Sequence, residues 1–419
     1  MVNEVAHVKS LKFKKDYFYY NNISYCLISL VLMFFSPLLF VFFVSLFSPF
    51  VSRNILALFS PFVLVFAILF YSSLQPFSDL AEYMNVYHQV YNGDINIFDY
   101  ERFGYGFEVI ILIIMKITAY VSSGNDQFFI FTVYTIILSY IYMISLCINR
   151  KFHLLIFLSI FSSLGFVESL SYFLRQNLSV VFFLYGLLCT KRKKVRYFYF
   201  FLSFTSHISA LINILVYVFA VNYKKRVNTP QRAIKVFVVA LILMVLAVSS
   251  VFFLPYGKVL YDKAIYVINN SQYSILPLPY ILITLANMIF VVLFSTVYRQ
   301  VNTIVYYLMI KEIVFFLITI PLPAVPNRLG MIIFSYASIF LFSMYYLNIS
   351  SIKKYLIILS FITINSIPFI YSMYIVSGHG NDFTFFVNKP FNITLLELVE
   401  YFSDSISNGV KYIDNGNSL

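Results

Sequence analysis

The sequence is poor in charged residues, which occupy 11% of its 419 positions. A soluble domain has about a quarter of its residues charged, so this chain has too little charge to keep a globule of its size in solution. It has 12 glycines and no Walker or GxGxxG motif, which argues against a glycine-rich phosphate-binding loop. Its three cysteines lie in apolar stretches, and their odd number gives no disulfide framework. These shortages exclude soluble, disordered, collagen-like and disulfide-stapled proteins.

Apolar residues dominate instead: 61% of the chain is hydrophobic, and its mean hydropathy is +0.85. A helix needs about 20 apolar residues to cross the hydrocarbon of a bilayer, and about twelve stretches approach that length. The candidate spans are 24–47, 55–74, 105–121, 128–148, 154–173, 176–190, 197–220, 236–254, 280–298, 302–320, 331–348 and 355–376. We therefore predict an all-α polytopic integral membrane protein with about 11–13 transmembrane helices, embedded in the lipid bilayer.

Composition divides the chain into three parts. Residues 1–22 form a basic N-terminus that we expect in the cytoplasm, residues 23–376 form the membrane domain, and residues 377–419 form a mildly acidic tail. The connections that we consider as candidate catalytic loops are 75–104, 255–279 and 321–330. The first of them holds five acids against one base, Arg102. If 105–121 is an interfacial or re-entrant segment, this acidic loop lies on the outer side of the membrane, which is the placement we favour.

The 29 basic residues exceed the 17 acidic ones and give a net charge of +12. They cluster between apolar runs, as at Lys191–Arg196, which is typical of cytoplasmic loops and does not indicate a nucleic-acid partner. The stretch 197–220 has basic clusters on both sides, since Lys224–Arg226 follows it. A single crossing would break the positive-inside rule, whereas a tight helical hairpin with His207 near its outer tip would satisfy it.

Two arginines at the edges of apolar runs are the first functional candidates, because a central Arg costs about 2.5–3.5 kcal/mol on insertion scales. Arg175 lies in SLSYFLRQNLSVVFFL, where it is spaced to share a helix face with Glu168. It is either an interfacial arginine, a partner of Glu168, or a guanidinium presented to a phosphate. Arg328 follows a proline-rich break in PLPAVPNRLGMIIF and is either an ordinary flanking cation or part of an anion site beside the amides that begin the next helix.

His207, in FLSFTSHISALINIL, is the one histidine inside a long apolar run. An imidazole has an unperturbed pKa near 6.5, which suits a general base at neutral pH. The alternative is a histidine that is hydrogen-bonded to a neighbouring serine between helices, such as Ser206 or Ser209.

An acidic and aromatic group in the loop 75–104 indicates sugar binding. Asp79, Tyr83 and Tyr87 recur every four residues and so share one helix face. Carboxylates accept hydrogen bonds from sugar hydroxyls, and aromatic rings pack on the apolar faces of sugars. Glu101 and Glu108 flank the next motif, GYGF, and are further acidic candidates. The alternative is a solvated amphipathic helix at the membrane interface.

Taken in order, these motifs resemble the EpsG-like branch of the Wzy-type O-antigen and polysaccharide polymerases. The resemblance covers roughly 75–340 and includes Asp79, Tyr83 and Tyr87, Glu101 before Gly104-Tyr105, Leu174-Arg175-Gln176, Lys191–Arg196, the run from His207 to Leu211, and Arg328. It implies a GT-C-like membrane glycosyltransferase in the bacterial inner membrane. Such an enzyme joins undecaprenyl-diphosphate-linked oligosaccharide repeat units at the periplasmic face, and a chain-length regulator is a possible partner.

The resemblance also implies roles for the candidate residues. We expect Arg175 and Arg328 to stabilise the departing diphosphate, since no metal motif and no cofactor motif is visible. We expect His207, or an acid from 75–108, to act as the general base, and the remaining candidates to bind sugar. These are Asp79, Tyr83, Tyr87, Glu101 and Glu108.

Two other functions are open at this point. An O-antigen ligase would usually carry a larger late periplasmic loop than 255–279. A flippase or transporter of lipid-linked glycan should show repeated halves and charges near the membrane midplane in several helices.

Overall fold

The computed structural model describes residues 22–73, 78–98, 100, 107–222, 278–297, 303–320, 328–344, 351–371 and 391–408. Within these ranges every regular element is helical and no strand occurs, which confirms the predicted all-α class. Several predicted features lie wholly or mostly outside the described residues: the N-terminus 1–22, the span 236–254, the loops 255–279 and 321–330, and much of the tail 377–419.

The helices are numbered here in chain order. They are α1 (Asn22–Phe35), α2 (Pro37–Phe47), followed by a 3-10 turn (Ser48–Phe50), α3 (Arg53–Ser72), α4 (Ser78–Asn92), α5 (Val109–Ser122), α6 (Asp126–Ile148), α7 (His153–Phe161), α8 (Leu164–Tyr172), α9 (Leu174–Leu188), α10 (Lys193–Ser206), α11 (Ala210–Asn222), α12 (Leu278–Val297), α13 (Thr303–Thr319), α14 (Met331–Ser335), α15 (Ala337–Met344), α16 (Ser351–Tyr371) and α17 (Leu395–Asn408).

Four stretches predicted as single spans are each divided into two shorter helices. The divided spans are 24–47, 154–173, 197–220 and 331–348. At two of the breaks a serine caps the following helix: Ser36 accepts from the Leu39 amide at 3.3 Å, and Ser163 accepts from the Phe166 amide at 3.2 Å. Among the described helices, α3 and α6 are long and apolar enough to cross a membrane by length and composition.

The break in 197–220 is a turn, as the charge pattern predicted. Helix α10 ends at Ser206, His207 adopts an extended backbone, and α11 begins at Ala210. In one continuous helix, residues 196 and 217 would lie about 30 Å apart. Instead the Arg196 guanidinium donates to the Tyr217 hydroxyl at 2.9 Å, and the rings of Phe200 and Tyr217 are 4.8 Å apart. Of the two alternatives for 197–220, the structure therefore shows the hairpin with His207 at its turn.

Helix α9, which carries Arg175, packs between α6 and α10. Helices α9 and α10 are antiparallel, because Ser203 hydrogen-bonds Ser179 near one end while the Tyr185 and Tyr199 rings pack 4.7 Å apart near the other. Gly186 permits this close approach, since an added Cβ there would lie 2.8 Å from the Cβ of Tyr199. The antiparallel pairing brings the start of α9 beside the end of α10.

The short helices α7 and α8 are fixed by a buried tyrosine of α3. Tyr71 is completely buried, and its hydroxyl donates to the carbonyl of Phe161, the last residue of α7. Its ring packs edge-on against Phe161 and Phe166, with centroids 5.1 and 5.5 Å away. Tyr71 thus contacts the residues on both sides of the break between α7 and α8 and fixes the two helices relative to α3.

The C-terminal helix α17 lies against α6. Thr394 and Glu397 form a capping box at its start: the Thr394 amide donates to Glu397 at 2.7 Å, and the Glu397 amide donates to the Thr394 hydroxyl at 3.3 Å. The Phe402 ring packs 5.2 Å from that of Phe131 in α6. Part of the tail predicted at 377–419 is therefore an ordered amphipathic helix.

A candidate active site around Arg175

Arg175 is the second residue of α9 and pairs with Glu108, the residue just before α5. The Arg175 side chain also donates through Nε to the Tyr83 hydroxyl of α4 at 2.9 Å, and its guanidinium lies 5.9 Å from the Tyr83 ring centre. The side chains of Arg175 and Glu108 are 19% and 5% exposed, so the pair is largely shielded from solvent. Helices α4, α5 and α9 therefore meet at one buried ion pair.

This arrangement corrects one expectation about Arg175. Glu168 and Arg175 were predicted to share one continuous helix face, but the chain breaks at Phe173, between α8 and α9. The break turns Arg175 towards Glu108, which lies far away in sequence. The placement of the Glu168 side chain lies outside the described residues.

His207 joins the same group through Glu108. Its Nε2 atom lies 3.9 Å from Glu108 Oε1, and the Ile208 amide donates to that oxygen at 3.0 Å. On the other side of the ring, the Ser209 amide donates to His207 Nδ1 at 3.1 Å. A nitrogen that accepts a hydrogen bond from an amide carries no proton, so the neutral ring has its proton on Nε2, facing Glu108. The structure also shows the alternative contact of His207 with a neighbouring serine, because Ser209 Oγ lies 2.8 Å from Nδ1.

Arg328 approaches the two residues that flank Arg175. Gln176 donates through its amide nitrogen to the Arg328 carbonyl oxygen. The Arg328 guanidinium lies over the Phe173 ring, 5.1 Å from its centre, in a cation–π contact. Arg328 is solvent-exposed, and none of the described carboxylates forms an ion pair with it. Two arginines from distant parts of the chain are therefore brought to the same end of α9.

The amides that follow Arg328 are occupied by a carboxylate of the protein itself. Glu312 accepts hydrogen bonds from the Ile332 amide at 3.0 Å and from the Ile333 amide at 3.3 Å. Two of the amides that were expected to favour an external anion are therefore already bonded to a carboxylate of the protein. The Glu312 carboxylate thus takes up these two amides, and the exposed Arg328 side chain is the group of this segment that can meet an external anion.

The sequence reasoning missed Glu312 and its neighbour Lys311, which form a buried ion pair in α13. The two residues are 3% and 1% exposed, in the order Lys311 and Glu312. Lys311 donates to Asn213 of α11 at 2.8 Å and to the Leu329 carbonyl at 3.2 Å. A signal was present, because adjacent charges inside the apolar run YYLMIKEIVFFLIT mark a functional or structural site by default.

Tyr87 is a packing residue in this fold. It is completely buried, its ring stacks on Phe129 with centroids 5.0 Å apart, and its hydroxyl lies 3.2 Å from Ser122 Oγ. This placement leaves no ring face for a sugar, so it does not support the predicted role in sugar binding. Tyr83 is also buried, and its hydroxyl is used to hold Arg175.

The other acidic candidates are placed only in part. Asp79 lies in the first turn of α4, on the predicted face with Tyr83 and Tyr87, while its side chain lies outside the described residues. Glu101 also lies outside them. Tyr100, from the same loop, lies near Arg175: burial raises the pKa of its hydroxyl, and the positive charge of Arg175 opposes that rise.

The site is recessed relative to the nearest end of α6. Cys147, near the end of α6, interacts with Cys189, directly after α9. Tyr140 of α6 packs against Phe182 and Tyr185 of α9, with both centroid distances 5.1 Å, so these helices run side by side in the same direction. Aligned by this contact, Arg175 lies roughly 8–10 Å below Asp126, where α6 begins, at 1.5 Å of rise per residue. Among the described residues, no group of three or more His, Cys, Asp or Glu side chains converges to hold a metal.

Comparison of the chain with protein-family models, with curated proteins and with solved structures gives no significant match.

Proposed function

We propose that the protein is a polytopic membrane glycosyltransferase, with an architecture related to the GT-C class, that polymerises undecaprenyl-diphosphate-linked oligosaccharide repeat units in the bacterial inner membrane. The observation that carries the proposal is the convergence of Arg175 and Arg328 at one recessed, aromatic-lined end of α9. The sequence places these arginines about 150 residues apart, and the Wzy-type resemblance assigns both of them to the diphosphate.

A membrane location is supported by the outer surface of the described helices. Large apolar side chains face outwards on α1, α5 and α10, for example Phe35 at 68%, Tyr120 at 90% and Phe201 at 60% exposure. Extended apolar surfaces of this kind suit lipid contact and are rare on soluble proteins.

The periplasmic side is supported by the hairpin of α10 and α11. Because the chain turns back at His207, α10 begins and α11 ends on the same side. The basic cluster Lys191–Arg196 at the start of α10 makes this side cytoplasmic by the positive-inside rule. Arg175 lies at the opposite end of the antiparallel pair, and so faces the periplasm.

Helix α5 supports the same placement for the acidic loop 75–104. It begins beside Arg175 at Glu108 and ends at Ser122, close to the start of α6. A segment that enters and leaves on one side fits the re-entrant interpretation of 105–121.

The reaction that suits this site is glycosyl transfer from a diphosphate. The hydroxyl oxygen of the acceptor repeat unit forms a bond with the anomeric carbon of the donor, while the bond from that carbon to the diphosphate oxygen breaks. The electron pair and negative charge go to the diphosphate, and the hydroxyl proton goes to a base. Charged hydrogen bonds from the arginines, at about 1.5–3 kcal/mol each, stabilise the departing group.

The geometry changes the role that we assign to His207. In the neutral ring Nε2 carries the proton, 3.9 Å from Glu108 Oε1, and the Nδ1 lone pair accepts from the Ser209 amide, so neither nitrogen is placed to take a proton from an acceptor hydroxyl. We propose that His207 orients Glu108, which in turn orients Arg175. The base is then an acid of the loop 75–108 other than Glu108, since both Glu108 oxygens accept hydrogen bonds within the protein.

The proposal is tested by the polysaccharide made in cells. In a strain from which the protein is deleted, complementation with the wild type should restore a long polysaccharide ladder, whereas Arg328→Ala should leave single repeat units attached to lipid A core. A full ladder in the Arg328→Ala strain would exclude the assigned leaving-group role. Loss of all capped core in the deletion strain would favour the ligase or flippase instead of the polymerase.

A further inference from the structure

The buried ion pair Lys311–Glu312 lies in the middle of an apolar helix, at a place where charge is costly. An apolar pair of similar size would fill the same space at no electrostatic cost. The hydrogen bonds that the two side chains make outside the pair therefore point to what the charges do.

Those hydrogen bonds converge on the segment that follows Arg328. Lys311 binds the Leu329 carbonyl at 3.2 Å, and Glu312 binds the amides of Ile332 and Ile333 at 3.0 and 3.3 Å. From the other side, Gln176 donates to the carbonyl of Arg328 itself. The backbone around Arg328 is thus held at the carbonyls of Arg328 and Leu329 and at two of the amides that follow.

The bonds tie this segment to two further helices. Lys311 also donates to Asn213 of α11 at 2.8 Å, and α11 is the second arm of the hairpin that carries His207. Gln176 belongs to α9, directly after Arg175. The position of Arg328 is therefore coupled to the two elements that carry Arg175 and His207.

We propose that Lys311 and Glu312 are positioning residues, which clamp the backbone of 328–333 and so fix Arg328 beside Arg175 for the diphosphate of the substrate. This inference rests on the proposed function for its catalytic part, while the clamp itself is a property of the fold. The pair acts through Arg328 and does not touch the substrate.

Two double variants separate clamping from charge pairing. Exchange of the two residues, Lys311→Glu with Glu312→Lys, keeps opposite charges side by side. However, a carboxylate at 311 cannot donate to the Leu329 carbonyl, and an ammonium at 312 cannot accept from the Ile332 and Ile333 amides. The apolar variant, Lys311→Met with Glu312→Leu, removes both charges while filling the space.

The matched control is the buried amide pair Asn287–Asn365, in which each side chain donates to the other at 2.9 Å. The residues are 1% and 2% exposed, and they join α12 to α16. Replacing both with Leu removes a buried polar pair of the same bundle that has no described contact with Arg175 or Arg328. This control should extend glycan within about threefold of the wild type.

The first readout is hydrogen exchange of the peptide 328–335 in purified full-length protein, which requires no substrate. The wild type should protect this peptide, and both double variants should exchange it at least tenfold faster while α13 stays protected. Unchanged protection in either folded variant would overturn the clamp. Fast exchange in the wild type would also overturn it, and that outcome does not depend on any variant folding.

The second readout is chain extension, with lipid-linked repeat units extracted from a strain that lacks the protein. Both double variants should lower kcat by about 10- to 100-fold with a smaller change in KM, since a misplacement of about 1 Å costs up to about 100-fold. A wild-type kcat in variants with an unprotected 328–335 would overturn the positioning role. If the wild type itself extends nothing, the proposed function fails, and the exchange data alone then decide whether the clamp exists.

Discussion

Replacing Glu108 with Gln tests whether the Arg175–Glu108 pair holds the candidate site together. The glutamine keeps an oxygen that can accept from the Ile208 amide, 3.0 Å away in the wild type, but it removes the negative charge that faces Arg175. Arg175→Gln makes the opposite change and leaves Glu108 charged. The double variant places two neutral amides, which can hydrogen-bond to each other, at the same point.

The expected magnitudes follow from the burial of the two side chains. Removing one partner of a buried pair costs about 3–5 kcal/mol. Because Arg175 is 19% exposed and can be partly rehydrated, we expect Glu108→Gln to cost about 2–3 kcal/mol. Glu108 is 5% exposed, so its charge is harder to rehydrate when Arg175 is lost, and Arg175→Gln should cost about 3–4 kcal/mol. The double variant should lose roughly 2–3 kcal/mol less than the sum of the single changes.

The assay is unfolding of purified protein in mixed micelles, followed by the helical circular dichroism signal because the chain has no tryptophan. Glu400→Gln, on the exposed side of α17, removes a carboxylate that lies outside any described ion pair and should leave the midpoint unchanged. Additivity of the two single changes within about 0.5 kcal/mol would show that Arg175 and Glu108 do not act as a pair. That result would remove the basis of the site.

Two further predictions concern the supports of the site and the C-terminal helix. Gly165→Ala should lower the free energy of unfolding by about 1–3 kcal/mol in the same assay and shorten the polysaccharide ladder. The reason is that the added Cβ would lie 2.5 Å from the Phe334 carbonyl oxygen and push α14 away. Unchanged stability would mean that this contact is not tight. The two hydrogen bonds from Thr394 lower the pKa of Glu397, so its capping contribution is present above the ordinary carboxyl pKa and is lost as pH falls through the lowered value. At neutral pH, hydrogen exchange should show better protection of α17 in the wild type than in Glu397→Gln; this difference should vanish in acid, and a difference that persists there would contradict the cap.

The features that the sequence predicts best depend on local rules. The turn at His207 follows from basic residues on both sides of a 24-residue run, since charge fixes the side of the membrane whatever the tertiary packing. The helix containing Asp79, Tyr83 and Tyr87 follows from residue spacing alone. Neither prediction requires knowledge of a partner distant in sequence.

The breaks in other apolar runs could not be predicted in this way. Between α7 and α8 neither proline nor glycine marks the end of the helix, and Tyr71 of α3 fixes the break from outside. The break at Phe173, between α8 and α9, likewise separates Arg175 from the helix that carries Glu168. A rule based on spacing within one helix therefore could not find Glu108, which is identified only once the fold is known.

The roles of single residues could not be assigned from the sequence either, because they depend on contacts with residues distant in the chain. A tyrosine pattern predicts a face, but it cannot distinguish a face that binds sugar from one that packs against α5 and α6, as Tyr87 does. Arg175 and Arg328 were paired by family resemblance, because nothing in their local sequence indicates that Gln176 reaches the Arg328 carbonyl. Lys311 and Glu312, by contrast, were visible as charges inside an apolar run and were overlooked.

The most direct test of the central claim is chain extension by the purified protein in lipid nanodiscs, supplied with lipid-linked repeat units alone. The account predicts glycans of two and more repeat units on the lipid, with one undecaprenyl diphosphate released for each bond formed, and none of this product with Arg328→Ala. Repeat units that are unchanged in length after incubation with folded wild-type protein would contradict the account.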